Sequence, residues 1–426
     1  MRTRARILLL LLAVLLLPVT ASANKATSYT YTLDQKYRFV RTQDAYLPDK
    51  TITTLGLSKP ADLFIDESGT LYIADSGNRR VLLYDTARGQ VKNELSHPGF
   101  SSPTGIYVTR EGQLYVADPG ARKVFQFDAS QALIREYDKP ASPVFSDIRY
   151  EPMKVAVDAG GNLYIVGEGV YHGVIQLGKE GEFLGYFTVN QTRLTFSQAL
   201  QRLIFTREQL TNLVDSVPIT FSNVFVDPAG ITYTTTMSIR YNALKKHRTD
   251  GANMFIDRVI STEALSDVWV DAAGIIYEAD QSGYILIYSP AGELIFNFGS
   301  NVSNLDVAGL FSRLPALAVD KQGIIWALDS EKGYVQSFAP TDYANTVYDA
   351  MGLYEKGEYQ ASLLQWNRVL RLNQMSVLAH NGIAKAHFHN EDYEQSIGHF
   401  RVAGNRAMYS EAFWELRNTF IQRWLP

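Results

Sequence analysis

The chain has 426 residues, of which 46% are hydrophobic and 20% are charged, a composition typical of a folded protein with more than one domain. It contains no cysteine, which excludes disulfide frameworks, thiol catalysis, zinc-thiolate sites and iron–sulfur clusters. Forty basic against 44 acidic side chains give a net charge of −4, so the chain lacks the broad positive field of nucleic-acid-binding proteins.

Residues 1–23 have the pattern of a secretory signal peptide. Three arginines precede an apolar run from Ile7 to Leu17, and Ala21-Ser22-Ala23 fits a small-residue cleavage site. The apolar run is too short to cross a hydrocarbon core about 30 Å thick. Cleavage would leave 37 basic against 44 acidic residues. Because an exported chain without cysteine has no disulfides, we expect a bacterial extracytoplasmic protein, extracellular or held at the cell surface.

One two-strand pattern occurs six times after residue 59. Each copy has an apolar strand, a glycine turn and a second strand rich in tyrosine; the turn glycines are Gly69, Gly112, Gly161, Gly230, Gly274 and Gly323. Their successive separations of 43, 49, 69, 44 and 49 residues match the period of a four-stranded propeller blade with one large insertion. The sequence therefore predicts a mainly β fold, with a six-bladed β-propeller over residues 24–340.

Closure of this ring needs one strand from outside the repeats. The sixth copy runs directly from Phe338 into a helical region and has no outermost strand of its own. Since an open ring would leave unpaired strand edges, we expect Tyr29 to Val40 to supply the missing strand.

The segment Asp75-Ser76-Gly77-Asn78-Arg79-Arg80-Val81 follows the second strand of the first copy. With the preceding D-x-x-G turn, it resembles the signature of the NHL-repeat family, and the resemblance covers roughly residues 59–339. It implies a six-bladed propeller of a family whose members serve as scaffolds, binding platforms and occasional enzymes.

A long insertion separates the third and fourth copies. Phe196, Ala199 and Leu203 recur at helical spacing, and Thr206 with Gln209 fits a capping box, so we predict helices near 195–216. The insertion is either a partner-binding or lid element, or a helical hairpin packed across one propeller face.

Residues 341–426 contain a second repeat. Tyr359 and Tyr393, Ser362 and Ser396, and Trp366 and Phe400 are each separated by 34 residues. The chain resembles tetratricopeptide (TPR) repeats in this period, with a capping helix over 410–424. The resemblance implies a concave peptide groove formed by the first helix of each repeat. The groove residues would be Met351, Tyr354, Asn381, Lys385 and Phe388.

The loops after the second strand of each blade are expected to converge at one end of the propeller channel. Their acids, bases and tyrosines could bind a polar ligand, or could pair with one another within the loops. The ligand-binding candidates are Asp75, Arg79, Asp118, Arg122, Glu168, Tyr171, His172, Asp280, Tyr284 and Asp329.

Two metal-dependent sites are alternatives to this interpretation. Lactonase-like propellers hold a divalent cation such as Ca²⁺ with inward Glu, Asn and Asp, which Glu168, Asp280 and Asp329 could imitate. Lyase-type propellers bind Zn²⁺ through three histidines, and the propeller repeats contain three, His97, His172 and His247. No nucleophile signature such as G-x-S-x-G is present.

The sequence thus favours a non-enzymatic binding or scaffold protein with no cofactor. Its expected partner is a protein, peptide or glycan, and nucleic acid is not expected. The aromatic and basic C-terminal end, Phe420 to Pro426, suits contact with a membrane or a transport complex. The alternative is a metal-dependent lactonase- or lyase-like enzyme using Ca²⁺ or Zn²⁺.

Overall fold

A computed structural model describes residues 28–145, 149–189, 219–237, 242–256, 259–301 and 307–424. Within these ranges, antiparallel strands form six sheets, and helices follow them. The predicted signal peptide at 1–23 and the predicted helices near 195–216 lie outside the described residues.

The first three strands precede the repeats: β1 (Tyr31–Leu33), β2 (Phe39–Arg41) and β3 (Tyr46–Ile52). Blade 1 contains β4 (Pro60–Ile65), β5 (Thr70–Asp75), β6 (Arg80–Asp85) and β7 (Gln90–Ser96). Blade 2 contains β8 (Gly105–Val108), β9 (Leu114–Asp118), β10 (Lys123–Phe127) and β11 (Leu133–Tyr137). Blade 3 contains β12 (Pro152–Val157), β13 (Leu163–Gly167), β14 (Ile175–Leu177) and β15 (Phe183–Tyr186).

Blade 4 contains β16 (Phe221–Val226), β17 (Thr232–Thr236) and β18 (Lys245–His247) among the described residues. Blade 5 contains β19 (Leu265–Val270), β20 (Ile276–Asp280), β21 (Tyr284–Tyr288) and β22 (Leu294–Gly299). Blade 6 contains β23 (Leu317–Val319), β24 (Ile325–Asp329) and β25 (Tyr334–Pro340). Short 3₁₀ turns occur at Ser76–Asn78 and Pro143–Phe145. The predicted six-bladed propeller is confirmed.

The ring is closed by an N-terminal strand, but by a later one than the sequence suggested. Strand β3 pairs antiparallel with β25 and is the fourth strand of blade 6, with Val335 opposite Ile52. The prediction that residues 29–40 close the ring is wrong. Strands β1 and β2 instead form a hairpin that adds two strands to the outer edge of blade 5, where Tyr31 pairs with Asn297. A short alternating segment does not reveal which sheet edge it will reach.

In every blade except blade 2, where Thr109 takes its place, an aspartate at the end of the first strand closes the following turn. In blade 1, Asp66 Oδ1 accepts the backbone N–H groups of Ser68 (2.8 Å) and Thr70 (2.9 Å). Its Oδ2 accepts the hydroxyl of Tyr72 at 3.2 Å, and Gly69 occupies the left-handed region at φ +82°. Asp158, Asp227, Asp271 and Asp320 likewise accept a hydrogen bond from the aromatic residue six positions later, which is a tyrosine in three blades and Trp326 in blade 6. The D-x-x-G…Tyr pattern therefore stabilises the turn and fixes the aromatic side chain beside it.

Five helices follow β25 in the described chain: α1 (Asp342–Glu355), α2 (Tyr359–Leu372), α3 (Val377–His389), α4 (Tyr393–Ala403) and α5 (Arg406–Trp424). Their 34-residue repeat is visible in equivalent contacts. Buried Ser362 donates to the Ala350 carbonyl at 2.8 Å, and Ser396 donates to the Ala384 carbonyl at 3.0 Å. No helix in the described ranges is long and apolar enough to span a bilayer.

The helices pack directly on blades 5 and 6. The Tyr348 and Tyr46 hydroxyls are 3.1 Å apart, and the rings of Tyr343 and Phe296 lie 5.7 Å apart between centroids. The helix-capping residue Thr341 donates its backbone N–H to the Ala45 carbonyl at 2.9 Å. Buried residues of α1, α2 and α3 belong to the same hydrophobic core as blades 5 and 6. The N-terminal strands therefore join the propeller to the helices.

Candidate functional site

The innermost strands present one equivalent position each toward the propeller axis. These positions are Asp62, Gly105, Lys154, Asn223, Asp267 and Ala316, and their separations are those of the turn glycines. All four polar members are at least 90% buried. Burial of this many polar groups is costly unless they are paired, so their contacts decide what the channel can do.

Lys154 stands at the centre of this polar layer. Its Nζ forms an ion pair with Asp62 and lies 3.9 Å from Asp267 Oδ1. Asp62 also accepts the backbone N–H of Ile106 in blade 2 at 2.7 Å, and Asp267 accepts that of Leu317 in blade 6 at 2.8 Å. The layer thereby ties several blades together through charge-assisted hydrogen bonds.

The polar layer has two carboxylates for one ammonium group. Burial raises the pKa of Asp267 to about 7, although Lys154 opposes this shift. Burial also raises the pKa of Asp62, against the same ammonium. Asn223 adds a neutral hydrogen bond from its side-chain amide to Asp267. The layer is self-contained, because every named charge already has a partner inside the protein.

An aromatic layer lies next to the polar layer, two residues further along the innermost strands of blades 1, 2, 4 and 5; blades 3 and 6 have alanine there. Phe64 lies 5.0 Å from Trp269 and 5.3 Å from Tyr107 between ring centroids, and Phe225 lies 5.1 Å from Trp269. Only about 20 Å³ of free volume remains among these two layers, which is room for roughly one water molecule. The middle of the channel is thus filled by side chains.

The predicted loop aspartates are buried and bound within their own blades. Asp75 accepts the Ser58 N–H at 2.7 Å and the Arg80 Nε–H at 2.7 Å. Asp118 accepts the Ser101 N–H, also at 2.7 Å. These donors show that the two carboxylates connect each loop to the segment entering the same blade.

Blades 5 and 6 repeat this arrangement. Asp280 accepts the Thr262 hydroxyl and the Ser282 N–H, the latter at 2.6 Å. Asp329 accepts the Ser312 N–H at 2.8 Å and the Glu331 N–H at 3.2 Å. Their side chains therefore hold the loops in shape.

The other predicted propeller residues are on the surface. Arg79 and Arg122 occupy left-handed backbone positions, with φ of 54° and 58°, and their side chains are exposed. Asp75 forms its ion pair with Arg80 and not with Arg79. Ligand binding by these loop residues stays a prediction.

In blades 3 and 5 the predicted residues are also accessible. Glu168, Tyr171 and His172 lie together on the exposed loop after β13, and the ring of His172 stacks on Tyr186 at 5.4 Å. Tyr284 begins β21 and is about one-third exposed. These side chains are free to contact a partner at the loop face.

A cleft of about 730 Å³ opens between blades 5 and 6 on the face that carries these loops. Seven of its eight lining residues have polar or charged side chains. They come from the second-strand loops and the connections between strands: Ala264, Gln281, Ser282, Asn301, Ser312, Arg313, Glu331 and Lys332. Asp280 and Asp329 lie directly beneath it through their bonds to Ser282 and Ser312. Hydroxyl, amide, carboxylate and cationic groups thus converge on one concave surface.

The three propeller histidines lie in different surroundings. His97 packs among Phe100, Phe125 and Phe127, at 5.4 to 5.8 Å between ring centroids. His247 is buried in blade 4, where Nε2 lies 2.8 Å from Thr234 Oγ1 and Nδ1 lies 2.9 Å from the Gly251 carbonyl. Burial lowers the pKa of His247 to about 4, so the ring is neutral. Both nitrogens of His247 are thus already engaged by protein groups.

The predicted groove residues of the helices face several neighbours. Lys385 Nζ lies 3.3 Å from Glu293 Oε1 on the turn between β21 and β22. Half-buried Met351 and Tyr354 pack against the core shared with the propeller. Asn381 accepts from Asn405 at 3.2 Å, and Phe388 packs against Tyr393 at 5.6 Å. Part of the expected groove is therefore directed toward blade 5; peptide binding stays a prediction.

No family model and no curated protein match this chain. Among solved structures, it is similar to a streptogramin B lyase, with 10% identity, a TM-score of 0.47, and coverage of 70% of this chain and 98% of that chain. It is also similar to a catalytically inactive virginiamycin B lyase from Staphylococcus aureus with quinupristin, with 10% identity, a TM-score of 0.44, and coverage of 72% and 85%.

A selenomethionine-substituted virginiamycin B lyase from Staphylococcus aureus is similar too, with 8% identity, a TM-score of 0.46, and coverage of 70% of this chain and 100% of that chain. The assignment of six blades to this chain stands on its own strand pairing. Membership of the NHL-repeat and TPR families stays a hypothesis.

Proposed function

We propose that this protein is an extracytoplasmic binding or scaffold protein whose loop face takes a polar partner, a peptide, a protein segment or a glycan. The observation that carries the proposal is the cleft between blades 5 and 6, about 730 Å³ in volume and lined by polar and charged side chains. The described side chains fill the middle of the channel, which favours this cleft beside the axis as the binding surface.

The cleft lining indicates the chemistry of that partner. Arg313 is exposed and offers a planar donor set suited to a carboxylate. Glu331 and Asn301 offer acceptors for hydroxyl or amide groups. A glycan with an acidic sugar or a peptide with an acidic side chain would bind both the arginine donors and the neighbouring acceptors.

The test is binding of the full chain to arrays of oligosaccharides and of acidic and neutral peptides. Arg313→Ala should weaken the strongest interaction at least tenfold, which is the effect of losing about 1.4 kcal/mol. Arg110→Ala is the matched control, because Arg110 is an exposed arginine in the turn between β8 and β9 at the opposite propeller face. Equal losses in both variants, or none in Arg313→Ala, would contradict the proposal.

We further infer that α5 places the protein at a membrane surface. Phe413, Trp414, Phe420 and Trp424 are each more than 50% exposed. Phe413, Phe420 and Trp424 form a stripe within about 40° around the helix axis, and Trp414 lies about 100° from Phe413. Arg417 lies within the same stripe. An aromatic stripe that includes a cation suits the interfacial region of an anionic bilayer.

Vesicle co-sedimentation tests this membrane contact. Phosphatidylglycerol vesicles should retain the full chain better than phosphatidylcholine vesicles, and the double variant Trp414→Ser, Phe420→Ser should lose this retention. Leu364→Ser is the control, since Leu364 is an exposed apolar residue of α2 at 68% exposure. If the vesicles retained the double variant as well as wild type, the proposal that α5 contacts the membrane would be wrong.

The metal-dependent enzyme remains the competing hypothesis. Elemental analysis of the purified chain distinguishes it, since stoichiometric calcium or zinc that is lost in Glu168→Ala would favour the enzyme. Metal content that does not depend on Glu168 would remove that residue as a ligand.

A further inference from the structure

Three histidines meet where α3 packs against α4. His380 and His387 are seven residues apart and therefore lie on one side of α3. His399 of α4 lies near both, with ring centroids 5.0 Å from His380 and 6.2 Å from His387. All three side chains are partly buried.

The hydrogen bonds show which ring nitrogens carry protons in the neutral rings. His380 Nε2 lies 3.0 Å from the Gln374 carbonyl oxygen, which can only accept, so Nε2 carries the proton and Nδ1 has the lone pair. His399 Nδ1 lies 2.9 Å from that lone pair and donates to it. His387 Nδ1 lies 3.2 Å from Asp392 Oδ2, which leaves the lone pair of His387 on Nε2.

This pattern is the one that surrounds metal-bound histidines. A ligating imidazole commonly donates its outer N–H to a backbone carbonyl or a carboxylate, which fixes the lone pair on the inner nitrogen. The Gln374 carbonyl and the Asp392 carboxylate occupy these outer positions for His380 and His387.

We propose that His380, His399 and His387 bind one divalent late transition-metal ion, of the class of Zn²⁺, Ni²⁺ or Cu²⁺, which imidazole nitrogens prefer. Among the described residues, no group of three or more His, Cys, Asp or Glu side chains is arranged to hold a metal ion, so the three rings must rearrange on binding. Binding therefore replaces the bond between His380 and His399. The proton on His399 Nδ1 moves to its Nε2, so both Nδ1 lone pairs face the ion and no proton or electron is released.

The movement needed is small. The two Nδ1 atoms are 2.9 Å apart, and two nitrogens on one tetrahedral zinc ion with bonds of about 2.0 Å are about 3.3 Å apart. For His387 to become the third ligand, its ring must rotate. Its Nδ1 partner Asp392 is about half exposed, so the Asp392 side chain can move with the ring. The ion would join α3 to α4, on which α5 packs through Ala384, Phe400 and Ala412.

Isothermal titration of the full chain with zinc chloride and nickel chloride tests this site. One ion per chain is expected, with no matching binding of calcium or magnesium, since these hard cations take oxygen ligands. Zinc should also raise the unfolding temperature of the wild-type chain. His399→Gln should abolish saturable zinc binding and the thermal shift while circular dichroism shows an intact fold.

Two further variants make the result specific. Asp392→Asn retains an acceptor for capping α4 and should weaken zinc binding by about 10- to 100-fold. His389→Ala is the matched control, because His389 belongs to α3 but stacks on Tyr359 at 4.9 Å, away from the three rings. Absence of saturable zinc and nickel binding, or wild-type affinity in His399→Gln, would overturn the site.

Discussion

Lys154 is the single residue on which the channel depends most. Its ammonium group is the cation between Asp62 and Asp267, and all three side chains are buried. A buried carboxylate that loses its partner keeps its desolvation cost without the compensating attraction. The packing of six blades around the axis is therefore coupled to one charge.

Lys154→Met should lower the free energy of unfolding by about 3–5 kcal/mol, because it leaves two buried carboxylates without a cation. Chemical denaturation at pH 7 measures the loss. Lys321→Met is the control: Lys321 is exposed and lies 3.4 Å from Glu67, a surface pair whose loss costs at most about 1 kcal/mol. Similar losses in the two variants would show that the channel pair contributes no more than a surface pair.

Glu278 makes the stability of the folded protein depend on pH. Its carboxyl group is fully buried in β20 beside Tyr288, whose hydroxyl donates to the Ile260 carbonyl at 2.9 Å. Neither carboxyl oxygen therefore has a hydrogen-bond partner among the described residues. Burial raises the pKa of Glu278 to about 8, against an ordinary value of 4.5. The folded state therefore retains a proton that the unfolded chain releases, so the stabilising contribution is complete below pH 4.5 and is lost as pH rises to about 8.

Glu278→Gln should flatten this part of the stability profile, since glutamine remains neutral at every pH. Thermal unfolding of wild type and variant at half-unit steps from pH 5 to pH 9 measures the difference. Parallel profiles would mean that Glu278 does not titrate in this range. Glu168→Gln is a suitable control because Glu168 is exposed.

At the scale of elements, the N-terminal strands have separate roles. Strand β3 completes blade 6, whereas the β1–β2 hairpin only widens blade 5. Deletion of 28–42 should leave the ring closed and lower the unfolding temperature by a few degrees. Deletion of 28–52 should open the ring and cause aggregation through the exposed edge of β25. Thermal unfolding and size-exclusion chromatography measure the stability and aggregation of the two deletion variants. If both variants had the same unfolding temperature and remained equally monodisperse, β3 would not be the strand that closes the ring.

The repeat period predicted the blades well because strand alternation and glycine turns are local features. The polar layer was also present in the sequence, since Asp62, Lys154, Asn223 and Asp267 have the same spacing as the turn glycines. Their importance was missed because charges at one register position do not show that they meet across an axis. The cleft could not be predicted, since its lining comes from several loops that only folding brings together.

At the scale of the whole molecule, propeller and helices form one cooperative unit. They share a hydrophobic core, the Tyr46–Tyr348 contact and the ion pair of Lys385 with Glu293. Calorimetry should therefore show one main unfolding transition for the complete chain. Two resolved transitions, with the helices unfolding separately, would show that the shared core does not couple them.

The pairing of β3 with β25 also has a consequence for folding order. Ile52 and Val335, which face each other in this sheet, are separated by most of the chain. During synthesis the N-terminal strand is made first and must remain unpaired until the last blade is complete. Such distant pairing slows folding and leaves a strand edge exposed in the meantime. We therefore expect ring closure to be the late, slow step, and the incomplete chain to be the form that most needs a chaperone.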